Sequence, residues 1–244
     1  MLVIIELILV MENALITGAS KGMGRAIAIA FAKEGLNLAI CSRNMKDLEQ
    51  ITTELKATNP NIKIFALPAD ASNKAELLHF AAEAELALGT ITVLVNNLGA
   101  YEPNPILEDD DNTFNCLICT NLMPAYELYR YFGKTMIAAK KGHIFTICSI
   151  AALEPVVAAG TYTVTKAALL SLNNVMRLET QEHGIKVTAI VPGSTLTASW
   201  EGTTIDKNRF ILPEDIASAI VTVYKMSPGA NVEEIVMKPV FGQV

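Results

Sequence analysis

Tyr162 and Lys166 stand four residues apart, with Ser149 thirteen residues upstream. On a helix this spacing puts a phenol and an ammonium on one face. A free tyrosine titrates near pH 10, and bringing it to about 7 takes roughly 4 kcal/mol of preference for the phenolate. One ammonium about 4 Å away supplies about that much at an effective dielectric of about 20. The sequence therefore predicts a tyrosine whose pKa is lowered by Lys166 and which exchanges protons near neutral pH. The pair alone is a short motif that chance can supply; its weight comes from the residues around it.

A second set of residues suits a dinucleotide. Thr17-Gly18-Ala19-Ser20-Lys21-Gly22-Met23-Gly24 follows a strand-like run and opens a helical one. Glycines there let the backbone turn sharply and approach a pyrophosphate, whose charge sits at the helix N-terminus. The plainer reading is a tight strand–helix connection, but its place at the first such junction favours a cofactor. An acid at the end of the second strand would hold the ribose 2′-hydroxyl and repel a 2′-phosphate. This chain has Cys41-Ser42-Arg43-Asn44 instead. Arg43 can fork onto a phosphate and Lys21 can add a second positive charge, so NADP(H) is expected over NAD(H). The alternative is that Arg43 is a surface residue beside a helix cap.

The elements that must position these groups alternate along the chain. Strand-like runs are expected at 12–17, 36–41, 62–67, 91–96, 142–148, 186–191 and 234–240, with amphipathic helices at 24–34, 45–57, 73–88, 110–139, 161–183 and 213–226. Asn44, Ser72 and Pro213 mark helix starts, and Gly35 and Gly184 mark helix ends. The pattern predicts an α/β fold, a Rossmann-type doubly wound parallel sheet of about seven strands with helices on both faces. With no linker or repeat, a single domain over 11–244 is expected. Residues 194–212 form one long polar stretch suited to a mobile lid.

Of the 244 residues, 51% are hydrophobic and the net charge is −6. That is enough apolar material for a large core without metal or disulfide support, and the acidic balance argues against a nucleic-acid partner. Lys140-Lys141 reads as a solvated helix end. Cys41, Cys116, Cys119 and Cys148 do not make a secreted disulfide framework. Cys116-Leu-Ile-Cys119 has no second CxxC and no nearby histidine, so it is expected to be buried free thiols in a helix rather than a metal or redox site. The compartment expected is the reducing cytoplasm. Met1 to Val10 is apolar except for Glu6, too short to span a bilayer and without the marks of a cleaved signal. It is read as a dispensable extension, and no membrane partner is expected.

Taken together these motifs resemble the short-chain dehydrogenase/reductase family, from Met11 onward. The glycine pattern is Thr17 to Gly24, the strand-four motif is Asn96-Asn97-Leu98-Gly99 with leucine replacing alanine, and the catalytic set falls on Asn121, Ser149, Tyr162 and Lys166. Pro192-Gly193, followed by Thr195 and Thr197, matches the motif after strand six. The resemblance implies that Tyr162 protonates a carbonyl oxygen as hydride arrives, Ser149 polarises it, and Lys166 binds the nicotinamide ribose. It implies that Asn121 holds a water relaying protons to Lys166. Asp70 and Ala71 would meet the adenine, Asn97 and Gly99 would line the cofactor cleft, and 192–197 would hold the carboxamide. It also implies a homodimer or homotetramer built on helices 110–139 and 161–183.

The substrate is less legible. Leu98, Tyr101, Ile150, Leu153, Val156, Trp200 and Phe210 could shape a pocket, with Leu98, Ile150 and Trp200 the candidates carried forward. The ending Val232-Glu-Glu-Ile-Val-Met-Lys-Pro239 looks more like sepiapterin-reductase-like small-carbonyl reductases than 3-oxoacyl-[acyl-carrier-protein] reductases. The latter also need a basic landing patch for an acidic carrier. A small carbonyl substrate is therefore expected. A regulator that binds NADP without catalysis is the remaining alternative.

Overall fold

A strand that is apolar at every position must be covered on both sides. In β1 (Asn13–Ile16), Ala14 and Ile16 enter one core layer and Leu15 the other, all fully buried. The computed structural model describes residues 11–244, so the expected extension over 1–10 lies outside the described residues. Strands β1, β2 (Asn37–Ser42), β3 (Ile64–Pro68), β4 (Val93–Asn96), β5 (His143–Ile147), β6 (Lys186–Pro192) and β7 (Glu234–Met237) form one sheet. Its order is β3-β2-β1-β4-β5-β6-β7, with every pairing parallel. The order of the strands reverses between β1 and β4, which opens a crevice at the C-terminal strand ends.

The helices are α1 (Gly22–Lys33), α2 (Met45–Thr58), α3 (Lys74–Leu88), α4 (Thr113–Asn121), α5 (Met123–Ala139), α6 (Gly160–Thr180) and α7 (Pro213–Tyr224). Apolar stripes of α1, α2 and α7 cover one face of the sheet. Those of α3, α5 and α6 cover the other. Phe31 anchors the first layer, fully buried between Phe145 and Tyr224. Among the described residues no helix is long and apolar enough to cross a membrane.

Four local expectations need correction. The helix expected over 110–139 breaks at Leu122 into α4 and α5. Pro124 lacks an N–H and would clash with the carbonyl four residues back, so one continuous helix is excluded there. Asn73, not Ser72, caps α3, accepting from the N–H groups of Ala75 and Glu76 at 2.9 and 3.3 Å; Ser72 turns back to Asp70. Cys116 and Cys119 are exposed rather than buried. The buried face of α4 is Thr113, Leu117 and Asn121, one turn apart, and the thiols fall off that stripe. Strand β7 stops at Met237, short of 240, because Pro239 cannot donate to a ladder.

His143 opens β5 with its ring stacked on Phe145 at 3.9 Å and Nε2 3.0 Å from the Thr188 hydroxyl. Thr188 donates its own proton to the Val232 carbonyl at 2.7 Å, so Nε2 must carry the hydrogen in this contact. Burial, and then the Lys186 charge, push the imidazole down to about 3. A histidine depressed in the fold stabilises it above its unfolded pKa and costs stability as pH falls below that value. Urea unfolding is expected to show stability declining from about pH 6.5 downward. His143→Gln, which keeps a donor for Thr188, should remove that part of the slope; an unchanged slope would contradict the assignment.

Candidate active site

The crevice between β1 and β4 is built first by close packing. A Cβ on Gly24 would lie 2.2 Å from the Gly18 carbonyl oxygen and 2.5 Å from Nδ2 of Asn97, so only glycine allows α1 to start this close to β1. Gly18 and Gly22 hold φ of 64° and 53°, the left-handed turn that aims the loop amides outward. Asn97 locks the loop by donating Nδ2 to the Thr17 and Gly18 carbonyls at 2.9 and 3.0 Å. The Thr17 hydroxyl accepts from the N–H groups of Asn97 and Leu98. No side chain caps α1 and its first turn carries no acid, so its N-terminus faces the crevice free for an anion.

At the rim, the Ser20 hydroxyl donates to that of Ser42 at 3.1 Å, and Arg43 is exposed beside them. The Ser72 hydroxyl, then the Ser72 N–H and the Arg43 charge, hold the Asp70 carboxyl below its ordinary range, with burial opposing. Asp70 thus lies within the field of Arg43, and Ala71 beside it is buried. Lys21 is not free as expected: its Nζ lies 2.8 Å from an Asp47 carboxylate oxygen. With the lysine side chain 65% exposed, water screens that pair and it holds Lys21 weakly.

Behind the rim a cavity of about 440 Å³ gathers Met23, Asn97, Gly99, Ser149, Tyr162, Lys166, Pro192, Gly193, Thr195, Thr197, Ile150 and Trp200. Tyr101 and Val156 also line it. Ser149 ends the strand β5 region and caps the short turn at Ile150–Ala152, its oxygen accepting from the Ala151 N–H at 3.2 Å. Its own proton is left to point elsewhere. Lys166 is 4% exposed, and its Nζ donates to the Ile147 carbonyl at 3.0 Å. The Asn121 side chain is committed to protein partners. Its Oδ1 accepts from the Ala100 N–H at 2.7 Å, and its Nδ2 donates to the Ala100 carbonyl and the Thr165 hydroxyl. That ties the 97–100 loop to α6, with Lys166 and Asn121 converging on Gly99.

The electrostatics also differ from the expectation. The Tyr162 phenol is pushed up, not down: burial dominates, with the Ser149 hydroxyl opposing it. Lys166 sits 5.8 Å from the Tyr162 ring centre and is itself pushed down to about 8 by burial. Loss of water penalises the phenolate more than the Ser149 hydrogen bond repays, and Lys166 does not reverse the balance. Cys148, within the field of both Tyr162 and Lys166, is pushed up to about 12 by burial and stays a neutral thiol.

Of the expected substrate residues, Leu98 turns instead into the core behind the glycine loop. Leu153 faces solvent, and Phe210 is buried beneath Trp200 at 4.9 Å. The 194–212 stretch is pinned at both ends, by Leu196 N–H to the Ile211 carbonyl at 2.8 Å and Ile211 N–H to the Ser194 carbonyl at 3.0 Å. Gln243 and Val244 also line the cavity and carried no sequence signal beyond the turn-forming Gly242. A shallower depression of about 590 Å³ between α7 and β7 holds none of the chemical groups.

Residues 12–208 match the family described as short chain dehydrogenase. The chain is 31% identical to sepiapterin reductase of Chlorobaculum tepidum, over 94% of this chain and 97% of that one. Among solved structures it is similar to an alcohol dehydrogenase from Thermococcus sibiricus complexed with 5-hydroxy-NADP, with 25% identity, coverage of 96% and 99%, and a TM-score of 0.87. It is also similar to L-sorbose reductase from Gluconobacter frateurii complexed with NADPH and L-sorbose, with 26% identity, coverage of 93% and 94%, and a TM-score of 0.86.

Lys166 offers a direct check on this electrostatic picture. In the protein without added ligands, the Cε resonance of labelled Lys166 should titrate with a midpoint near 8. A midpoint at the ordinary lysine value, about 10.4, would mean the ammonium is not desolvated.

Proposed function

Because this chain belongs to the short-chain dehydrogenase family, we propose that it transfers hydride between NADP(H) and a small, neutral carbonyl or alcohol substrate. The observation that carries the reading is the shared cavity: Ser149, Tyr162 and Lys166 line the same space as the 192–197 segment and Met23 of the glycine loop. The residues fit the cofactor. The Gly18–Gly24 cradle, which a single Cβ would fill, and the uncapped start of α1 would receive the pyrophosphate. Ser20, Lys21, Ser42 and Arg43 would meet a 2′-phosphate, with Lys21 released from Asp47. Asp70 and Ala71 would border the adenine, and Pro192, Gly193, Thr195 and Thr197 the nicotinamide.

Bound NADPH supplies the hydride. The Ser149 hydroxyl donates a hydrogen bond to the carbonyl oxygen, favouring the charge that builds there. Tyr162 then gives its proton to the same oxygen, completing the alcohol. A phenol held protonated by burial is in the right state for that step. Lys166, with its pKa near 8, can return a proton to the phenolate. Asn121 positions α6 against the 97–100 loop, so that Tyr162 and Lys166 keep their register. Among the described residues that line the cavity, Lys166 is the only charged side chain, and Tyr101, Ile150, Val156 and Trp200 supply apolar wall. That composition suits a neutral substrate. The likeness to sepiapterin reductase supports a small ketone over a carrier-bound acyl chain.

The same reading includes assembly into a homodimer or homotetramer. Exposed Phe114, Tyr126, Val164, Val175 and Leu178 on α4, α5 and α6 support it; a solution mass of one chain would exclude it. The activity is tested by NADPH oxidation with diketone, pterin and acetoacetyl-thioester substrates, with NADH in parallel. Turnover of a small carbonyl with NADPH preferred is expected. Tyr162→Phe should lower kcat by about 100- to 10,000-fold while still binding NADPH. Arg43→Ala should erase the preference for NADPH. Tight NADPH binding with no turnover of any compound would replace the enzyme by a non-catalytic NADP-binding protein.

A further inference from the structure

Residues 239–244 fold back across the end of β6. Gly242, at φ 85°, makes the turn, and its N–H bonds the Pro239 carbonyl at 3.0 Å. Arg209 from the lid stacks over the Phe241 ring at 5.8 Å and reaches its carbonyl. The strap then places Gln243 on the segment expected to hold the nicotinamide. Its Oε1 accepts from the Ser194 N–H at 2.7 Å and the Ser194 hydroxyl at 2.9 Å. The Val244 N–H closes the clasp onto the same hydroxyl at 3.2 Å. A Cβ on Gly193 would lie 2.3 Å from Nε2, so the carboxamide lies flat against that glycine.

This clasp fixes one end of the amide and leaves the other free. Both acceptor contacts use Oε1, so the two N–H bonds of Nε2 remain for a ligand in the cavity that Gln243 shares with Ser149, Tyr162 and Trp200. Ser149 and Tyr162 are already directed to the reacting oxygen. Part of the roughly 440 Å³ must also hold a nicotinamide, so the molecule between Tyr162 and Gln243 is small. A donor held rigidly on a fixed backbone discriminates well between a substrate that carries an acceptor and one that does not.

We propose that Gln243 is a specificity-determining residue that donates to a second oxygen of the substrate, so that the site selects neutral vicinal diketones and α-hydroxyketones over simple carbonyl compounds. This rests on the carbonyl-reduction reading above. The strap residues Arg209 and Phe241 act only by holding Gln243 in place.

The test uses the full chain and two substrates with a common four-carbon skeleton, diacetyl with two oxygens and butyraldehyde with one. The readout is the ratio of their kcat/KM values, so intrinsic reactivity cancels between variants. Gln243→Ala removes donors and anchor together. Gln243→Glu keeps an acceptor for Ser194, and thus the strap, but removes the donors. In both variants the ratio should fall by about 5- to 10-fold, mainly through KM for diacetyl. A ratio unchanged in both variants would overturn the proposal. So would a loss in the alanine variant that glutamate restores, since that pattern belongs to a merely structural strap. Tighter NADPH binding by Gln243→Ala with an unchanged ratio would also overturn it, showing the tail to be a block on the cofactor. Wild-type turnover of other carbonyl compounds but not of diacetyl would overturn this inference alone; no turnover of any carbonyl compound would overturn the reduction reading itself, and this inference with it.

Discussion

The Asn97 carboxamide holds the crevice together. Two parallel strands, β1 and β4, separate at their C-terminal ends, and something must keep the loops above them apart but in register. Asn97 donates to two carbonyls of the glycine loop while the Thr17 hydroxyl receives two amides from the β4 side. Four hydrogen bonds thus join the cofactor loop to the strand that leads to Gly99, and from Gly99 to Lys166 and Asn121. The cradle for one end of a dinucleotide and the chemistry at its other end are parts of one rigid frame. Buried polar groups with their partners supplied are costly to disturb, which is why such a frame keeps its shape.

Burial sets the resting state of the chemical groups. The phenol of Tyr162 is held protonated, Lys166 is brought near 8, and Cys148 is kept as a thiol. Without a ligand Lys166 is thus still mostly an ammonium at neutral pH, beside a neutral phenol and a neutral thiol. Burial of this kind strengthens any polar interaction that a substrate brings with it. The simple estimate made from sequence, in which one ammonium lowers one phenol, left out the loss of water around both.

The layered sheet was legible because hydrophobic alternation and helix signals follow local rules. The strands other than the end of β7, the glycine turn and the Asn44 cap, whose side chain accepts from the Lys46 and Asp47 amides, lie where the sequence places them. The bringing together of Ser149, Tyr162 and Lys166 was legible too, since strand end and helix start follow each other closely in the chain. What was not legible depends on tertiary placement. Leu98 looked like a pocket residue by position, yet its side chain follows the apolar layer inward. Asp47 claims Lys21 because α2 swings over the loop. Gln243 is distant in sequence from every motif, and only the turn at Gly242 brings it to Ser194.

The pinned ends of the 197–210 loop have a consequence for how such a protein diversifies. Ser194, Leu196 and Ile211 close the loop with backbone bonds alone, whatever side chains lie between them. The entropic cost of lengthening a closed loop grows only slowly with its length. Residues 201–205, away from Thr197, Trp200 and Arg209, can thus be inserted, deleted or exchanged without shifting the segment beneath. The fold has separated a stretch that tolerates change from the fixed base that closes it, and the first can drift while the second stays put.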